Sequence, residues 1–196
     1  MATASAVASS GNIGPGFDVV ALALDLRCEV DAEPADVWSS AHEGPHAPDA
    51  DGDLVLQAAK DAVGEDHPLR LTVRNHIPLA RGLGSSAAAY GAGAAAALRA
   101  VEGVADADRV FEMVSAQEGH ADNAAAAIYG GLVGILESGR PTRLTLAPNW
   151  RIIVAIPSFR LLTKEARGVL PAEVPRRAVV RSLSRLVALI EGLRLG

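Results

Sequence analysis

Residues 81–90 read RGLGSSAAAY. Two glycines flank a leucine, two serines follow, and the chain then runs into alanine, the strongest helix former. This is a tight loop feeding straight into a helix. Gly82 and Gly84 accept backbone torsions and close approaches that a Cβ forbids. The first N–H groups of a helix have no partner inside it, and the helix dipole adds partial positive charge there. Loop and helix start together therefore suit an anion such as a phosphate. A serine hydroxyl in the first turn also reaches a metal ion held by phosphates. No lysine follows the second glycine, so this is not a Walker A loop. A plain glycine turn capped by serine ahead of a buried helix is the competing reading.

The rest of the chain agrees with a soluble domain that handles a small anionic ligand. Its 196 residues are 49% hydrophobic, enough for a real core. Alanine-rich stretches are broken by Gly, Tyr, Arg and Asp, so no membrane-spanning helix is expected. The start, MATASAVASSGNIG, has neither a basic region nor a leucine-rich one, so no secretory leader is expected and the protein reads as cytoplasmic. Cys28 is the one cysteine, which excludes an internal disulfide framework and a cysteine-based zinc site. With a net charge of −5 and no basic stripe, nucleic acid is not an expected partner.

Around the loop, the pattern is mixed. ATASAVASS reads as a short strand and GNIGPGFD as a glycine-rich turn. VVALALDL fits a helical turn or a strand. Cys28 to Val37 alternates like an edge strand. LVLQAAKDAVGE has helical spacing and ends near Gly64, and LRLTVRNHIP alternates as a strand stopped by Pro78. The helix after the glycine loop runs to about Val101, and its small residues predict close packing. DADRVFEMVSAQEGH is a second helix, with Asp106 as N-cap and Gly119 as its end. ADNAAAAIYGG is a short helix. LVGILE, RLTLA and RIIVAIP read as strands. LLTKEARGVLP reads as a loop and helical turn. The last segment, RRAVVRSLSRLVALIEGLRLG, is an amphipathic helix with Val179, Leu183, Leu186, Leu189, Ile190 and Leu193 on one face.

Three further segments carry chemistry. SSGNIGPGFD places the Asn12 amide and the Asp18 carboxylate in one turn, either for local hydrogen bonds or at the rim of a polar pocket. EMVSAQEGHADN sets Glu112 on a helix face with Ala116 and Gly119, while Glu118 points elsewhere; His120, Asp122 and Asn123 open the next helix. Capping explains Asp122 and Asn123. No zinc-type spacing occurs, but a phosphate-bridged Mg²⁺ needs only one or two protein oxygens, and Glu112 with a loop serine would supply them. LLTKEAR contains Arg167, and arginine suits a carboxylate gripped by two parallel bonds.

GNIGPGFD, PLARGLGSSAAA, EGHADN and LTKEAR follow one another in an order and spacing that resemble the homoserine kinases of the GHMP small-molecule kinase superfamily. The likeness runs from about Ala4 to the final helix. It implies an α+β GHMP kinase fold: a ribosomal-protein-S5-domain-2-like ATP-binding domain over 1–149, and the start of a ferredoxin-like C-terminal domain over 150–196. It implies that Pro78, Leu79, Ala80, Arg81, Gly82, Leu83, Gly84, Ser85, Ser86, Ala87 and Ala88 wrap ATP, with Ser86 and Glu112 holding Mg²⁺. Asn12, Asp18, His120, Asn123, Thr163 and Arg167 would line the L-homoserine pocket. Asp18 would accept from the substrate ammonium or hydroxyl, and Arg167 would hold its carboxylate. Asn123, Asp18 and Ser86 would carry the transfer that yields O-phospho-L-homoserine on the way to threonine. Several superfamily relatives have an aspartate base where Asn123 stands, so the resemblance implies transfer without a strong base. Relatives of this kind often form homodimers.

The resemblance also implies departures. The family runs on past position 196 with a second substrate arginine and a third glycine-rich motif. Arg177 and Arg181 stand where the family has Asp and Asn, and Val7-Ala8 replaces the usual proline before the first turn. An unpaired strand and an uncovered helix face predict self-association of the chain. Another GHMP kinase, or a non-catalytic nucleotide-binding remnant, remain alternatives.

Overall fold

The computed structural model describes residues 1–48, 52–159 and 167–196. Six strands form one sheet, covered on one face by four helices. In chain order these are β1 (Ala2–Gly11), β2 (Val20–Pro34), β3 (Ser39–His42), α1 (Leu54–Val63), β4 (Leu69–Asn75), α2 (Ser85–Glu102), α3 (Ala107–Glu118), α4 (Asp122–Tyr129), β5 (Leu132–Ile135) and β6 (Pro141–Leu144). A last helix, α5, spans Arg176–Leu195.

β2 organises the sheet. β1 runs antiparallel along it, from Ala2 opposite Ala32 to Gly11 opposite Ala21, with a register shift between Val7 and Ala8. β4 pairs with its second half, from Cys28 to Pro34, and β5 with its start, Val20 to Leu22. β3 joins β4 in parallel, and β6 extends β5. The segment expected as a separate edge strand from Cys28 is therefore the second half of a central strand. Alternation reports one buried face and carries no information about edge or centre. The open choice for VVALALDL resolves as strand.

The main core forms where the alanines of β1 (Ala4, Ala6, Ala8) and Cys28, Val30 and Ala32 of β2 meet α1, α2 and α4. Small side chains allow the close approach. A Cβ on Gly93 of α2 would lie 2.5 Å from the Val55 carbonyl oxygen of α1, so the two helix backbones nearly touch there. Asp53 caps α1 by accepting from the N–H groups of Val55 and Leu56, and Asp106 caps α3 by accepting from Arg109. Gly119 ends α3 in the left-handed region.

On the opposite face, Val20 and Leu22 alternate with Ala21 and join Leu132 in a second, smaller cluster, against which Leu186 and Leu193 of α5 rest. The first half of α5 is uncovered: Val179 and Leu183 of the expected apolar face are exposed. The segment RIIVAIP, expected as a strand, is not one. Among the described residues no strand pairs with residues 151–157, and Ile153 is 93% exposed. Its composition favours a strand, but a strand exists only where a neighbour takes its backbone hydrogen bonds. No helix among the described residues is long and apolar enough to cross a membrane.

Candidate active site

The glycine loop enters α2 through two left-handed glycines, Gly82 at φ 71° and Gly84 at φ 61°, with Ala80 also at positive φ. Gly84 is the N-cap and has no side chain to satisfy the first N–H groups of α2, which leaves them for a ligand. Its restriction is twofold, because a Cβ there would run into the hydroxyl of Ser9 on β1. At Gly82 no described residue would meet a Cβ, so the torsion is what restricts it.

The loop forms one wall of a cleft of about 450 Å³. Leu79 through Ser86 line it, as do Asn12, Glu118, His120, Asn123 and Arg167. Pro78, Ala87 and Ala88 do not; the two alanines are fully buried in the core. Arg81 Nη1 is buried with no hydrogen-bond partner among the described residues. A buried unpaired guanidinium nitrogen is costly unless an anion completes it.

Opposite the loop, β1 ends in the turn that carries Asn12 and Asp18, both at φ 58°. Asn12 Oδ1 accepts from the Asp18 N–H at 2.8 Å. The Asp18 carboxylate takes two bonds from Arg167, 2.5 Å from Nη2 and 3.1 Å from Nη1, and Arg167 lies 5.3 Å from the centre of the Phe17 ring. The acid and the base expected to hold opposite ends of a zwitterion thus hold each other, 149 positions apart. That pairing raises the Arg167 pKa. Thr163 and Lys164 lie outside the described residues.

At the α3–α4 junction, His120 Nδ1 pairs with Asp122 Oδ1 at 2.7 Å, and its Nε2 lies 3.8 Å from Glu118. Asp122 is fully buried, and its Oδ2 has no partner among the described residues. Burial pushes its carboxyl up, but the bonds from His120 and from the Asn123 N–H outweigh that and leave it below the usual range. The Asp122 bond raises His120, helped by Glu118 and opposed by burial and Arg167. Asp18, His120 and Asp122 place one ligand atom each within 4.8 Å of one another.

The structure places Glu112 apart from the cleft lining. It is exposed on α3 and absent from the cleft, whereas Glu118, expected to point away, lines it. Six residues along a helix turn a side chain through about 600°, so the two acids cannot share a face. A second group that sequence reasoning misses sits beside the β3–α1 connection. Asp53, the cap of α1, also accepts from Ser40 and pairs with His42 at 2.8 Å, and both His42 and Asp53 line the cleft. Burial raises the Asp53 pKa, but His42 and Ser40 outweigh it and the net shift is downward. The DGD before an apolar helical run is the available signal, as an N-cap. Cys28 lines the cleft too, with its pKa pushed up to about 12 by burial and then by Asp53 and Glu29, so it stays a neutral thiol.

Residues 53–131 match the N-terminal domain of the GHMP kinases. A homoserine kinase of Thermus thermophilus is 40% identical over 184 residues, which cover 91% of this chain and 63% of that protein. One from Moorella thermoacetica is 38% identical over 202 residues, covering 96% of this chain and 67% of that protein. The chain belongs to the homoserine kinase family. It spans a little under two thirds of the Thermus relative's length. The crystal structure of homoserine kinase from Cytophaga hutchinsonii, 24% identical, matches 99% of this chain and 67% of that one with a TM-score of 0.80, so the two share a fold. In this family member the glycine loop and α2 fall inside the matched domain, while Asn12, Asp18 and Arg167 lie outside it.

Proposed function

We propose that the chain forms the nucleotide- and amino-acid-binding cleft of a homoserine kinase, which moves the γ-phosphoryl group of ATP to the side-chain hydroxyl of L-homoserine. One observation carries the reading: a single cleft joins an uncapped helix start and an Arg81 nitrogen unpaired among the described residues to Arg167, which pairs with the Asp18 carboxylate, beside Asn12 and Asn123. The first group fits a triphosphate, and the second fits a molecule with an ammonium and a carboxylate. A mevalonate-type alcohol has no ammonium for Asp18, which sets that alternative behind. On this reading residues 150–196 begin the family's second domain.

The hydroxyl oxygen bonds to the γ-phosphorus as the bond to the β–γ bridging oxygen breaks, its electron pair leaving with ADP. The hydroxyl proton passes to an oxygen of the transferred group and then to solvent. Such a transfer asks mainly for alignment and charge neutralisation. Arg81 and the α2 N–H groups steady the phosphates, Arg167 and Asp18 orient the amino acid, and Asn123 stands beside the hydroxyl without taking its proton. Ser86 and Glu118 offer hydroxyl and carboxylate oxygens on the cleft wall, a donor set that suits Mg²⁺. When bound, that ion neutralises charge on the phosphates.

The test is ADP release from magnesium ATP with and without L-homoserine. Release that depends on homoserine supports the proposal; release indifferent to it, or nucleotide binding without release, overturns it. Asn123→Asp puts a carboxylate beside the phosphates and should lower kcat by about a hundredfold to a thousandfold, the size of losing one well-placed donor. A faster enzyme with a carboxylate-type pH profile would show that a base is wanted there.

A further inference from the structure

Ser9 lies fully buried in β1, and the reaction above assigns it nothing. It nonetheless contacts both the glycine loop and Asn123, two parts of the cleft lining. Its N–H donates to the Leu83 carbonyl in the glycine loop at 2.9 Å. Its hydroxyl occupies the space a Cβ on Gly84 would need. The same hydroxyl donates to Asn123 Oδ1 at 2.9 Å, across 114 positions of sequence.

That last bond makes the Asn123 carboxamide directional. A Cβ on Gly11 would lie 3.0 Å from Oδ1 and 3.3 Å from Nδ2, and one on Gly84 3.5 Å from Oδ1, so Oδ1 is the atom turned toward Ser9 and the glycine loop. Nδ2 is neither a buried orphan nor a donor to any described group, while Asn123 itself lines the cleft. The NH₂ therefore faces the cleft. Flipping the carboxamide would strip the buried Ser9 hydroxyl of its only acceptor among the described residues, at the cost of an unsatisfied buried donor.

We propose that Ser9 is a positioning residue that fixes the Asn123 carboxamide with its NH₂ toward the cleft, so that Asn123 acts as a hydrogen-bond donor to the phosphoryl oxygens brought beside it by the glycine loop. The proposal rests on the kinase reading above. It explains why a residue next to the reacting hydroxyl needs no basicity: its task is to meet negative charge on the group in flight, as the α2 N–H groups do. A carbonyl oxygen in that place would repel the same charge.

Two arms test it. The chain has four asparagines, so its side-chain amide signals in a ¹⁵N spectrum are few and assignable with Asn123→Ala. The expected result is no strong cross-peak between the Asn123 NH₂ protons and the Ser9 β protons, and a shift of the NH₂ pair on adding magnesium ATP. A strong cross-peak, or an NH₂ pair indifferent to nucleotide, overturns the proposal and needs no variant of Ser9 to fold. In the kinetic arm, Ser9→Ala should lower kcat about tenfold with the KM for homoserine changed less than about twofold, and should cost nothing more in an Asn123→Ala background. Equal losses in both backgrounds would mean Ser9 acts independently of Asn123, which overturns it. Absence of homoserine-dependent turnover in the unaltered chain would sink the kinase reading alone; the spectrum would still decide the orientation of Asn123.

Discussion

α2 and α5 are similar in length, 18 and 20 residues, and opposite in fate. α2 carries no clear apolar stripe, being Ala and Gly nearly all round, yet ten of its residues are buried. α5 has an apolar stripe plain in the sequence, and none of its residues is buried. The contrast teaches that a stripe shows which face seeks cover, whereas burial depends on how closely a neighbour approaches. Glycine and alanine let β1, α1 and α4 come close to α2; among the described residues, only Leu186 and Leu193 of α5 reach a cluster.

The contrast is sharpest at leucine. Leu98→Ala in α2 removes a fully buried side chain and should cost about 2–5 kcal/mol in urea unfolding. Leu183→Ala in α5, where the side chain is 58% exposed, should cost under about 0.5 kcal/mol. Comparable losses would break the contrast and show that the α5 face is covered in solution. Glycine gives the next largest effect, with opposite signs. Gly93→Ala forces a Cβ onto the Val55 backbone and should destabilise by about 1–3 kcal/mol. Gly192→Ala in α5 meets no described residue within 4 Å and should stabilise by about 0.5–1 kcal/mol through helix propensity.

Charge gives the smallest difference. His120 has a raised pKa in the folded chain, so its contribution is full below the ordinary value of about 6.5 and fades as pH rises through the raised one. Stability should therefore fall with rising pH in that window, and Asp122→Asn should flatten the slope. The Arg194–Glu191 pair of α5 is half exposed, and Glu191→Gln should leave the profile above about pH 6 unchanged. Urea midpoints from about pH 5 to 9 would read both.

Local features are legible in the sequence, and distant ones are hidden. Asp106, Gly64 and Gly119 stand out because caps act within one turn of the residues they serve. The glycine loop stands out because its torsions need glycine wherever the fold goes. Ser9 does not, because a serine in an alternating strand looks like any other and its partner is 114 positions away. A helical wheel favours Glu112 over Glu118 because it does not include the left-handed turn at Gly119, which folds α4 back and brings the last turn of α3 to the cleft. RIIVAIP reads as a strand because pairing is a property of two segments and the sequence pattern displays only one.

The two loop glycines differ in how many locks each carries. Gly82 has one, its torsion, and a small residue that tolerates left-handed backbone, such as asparagine, can turn it. Gly84 has two, because a substitute must adopt the torsion and also displace the Ser9 hydroxyl. A saturation library selected for folding would therefore recover variety at 82 and monotony at 84, and variety at 84 would come with loss of the hydroxyl at position 9, as in Ser9→Ala.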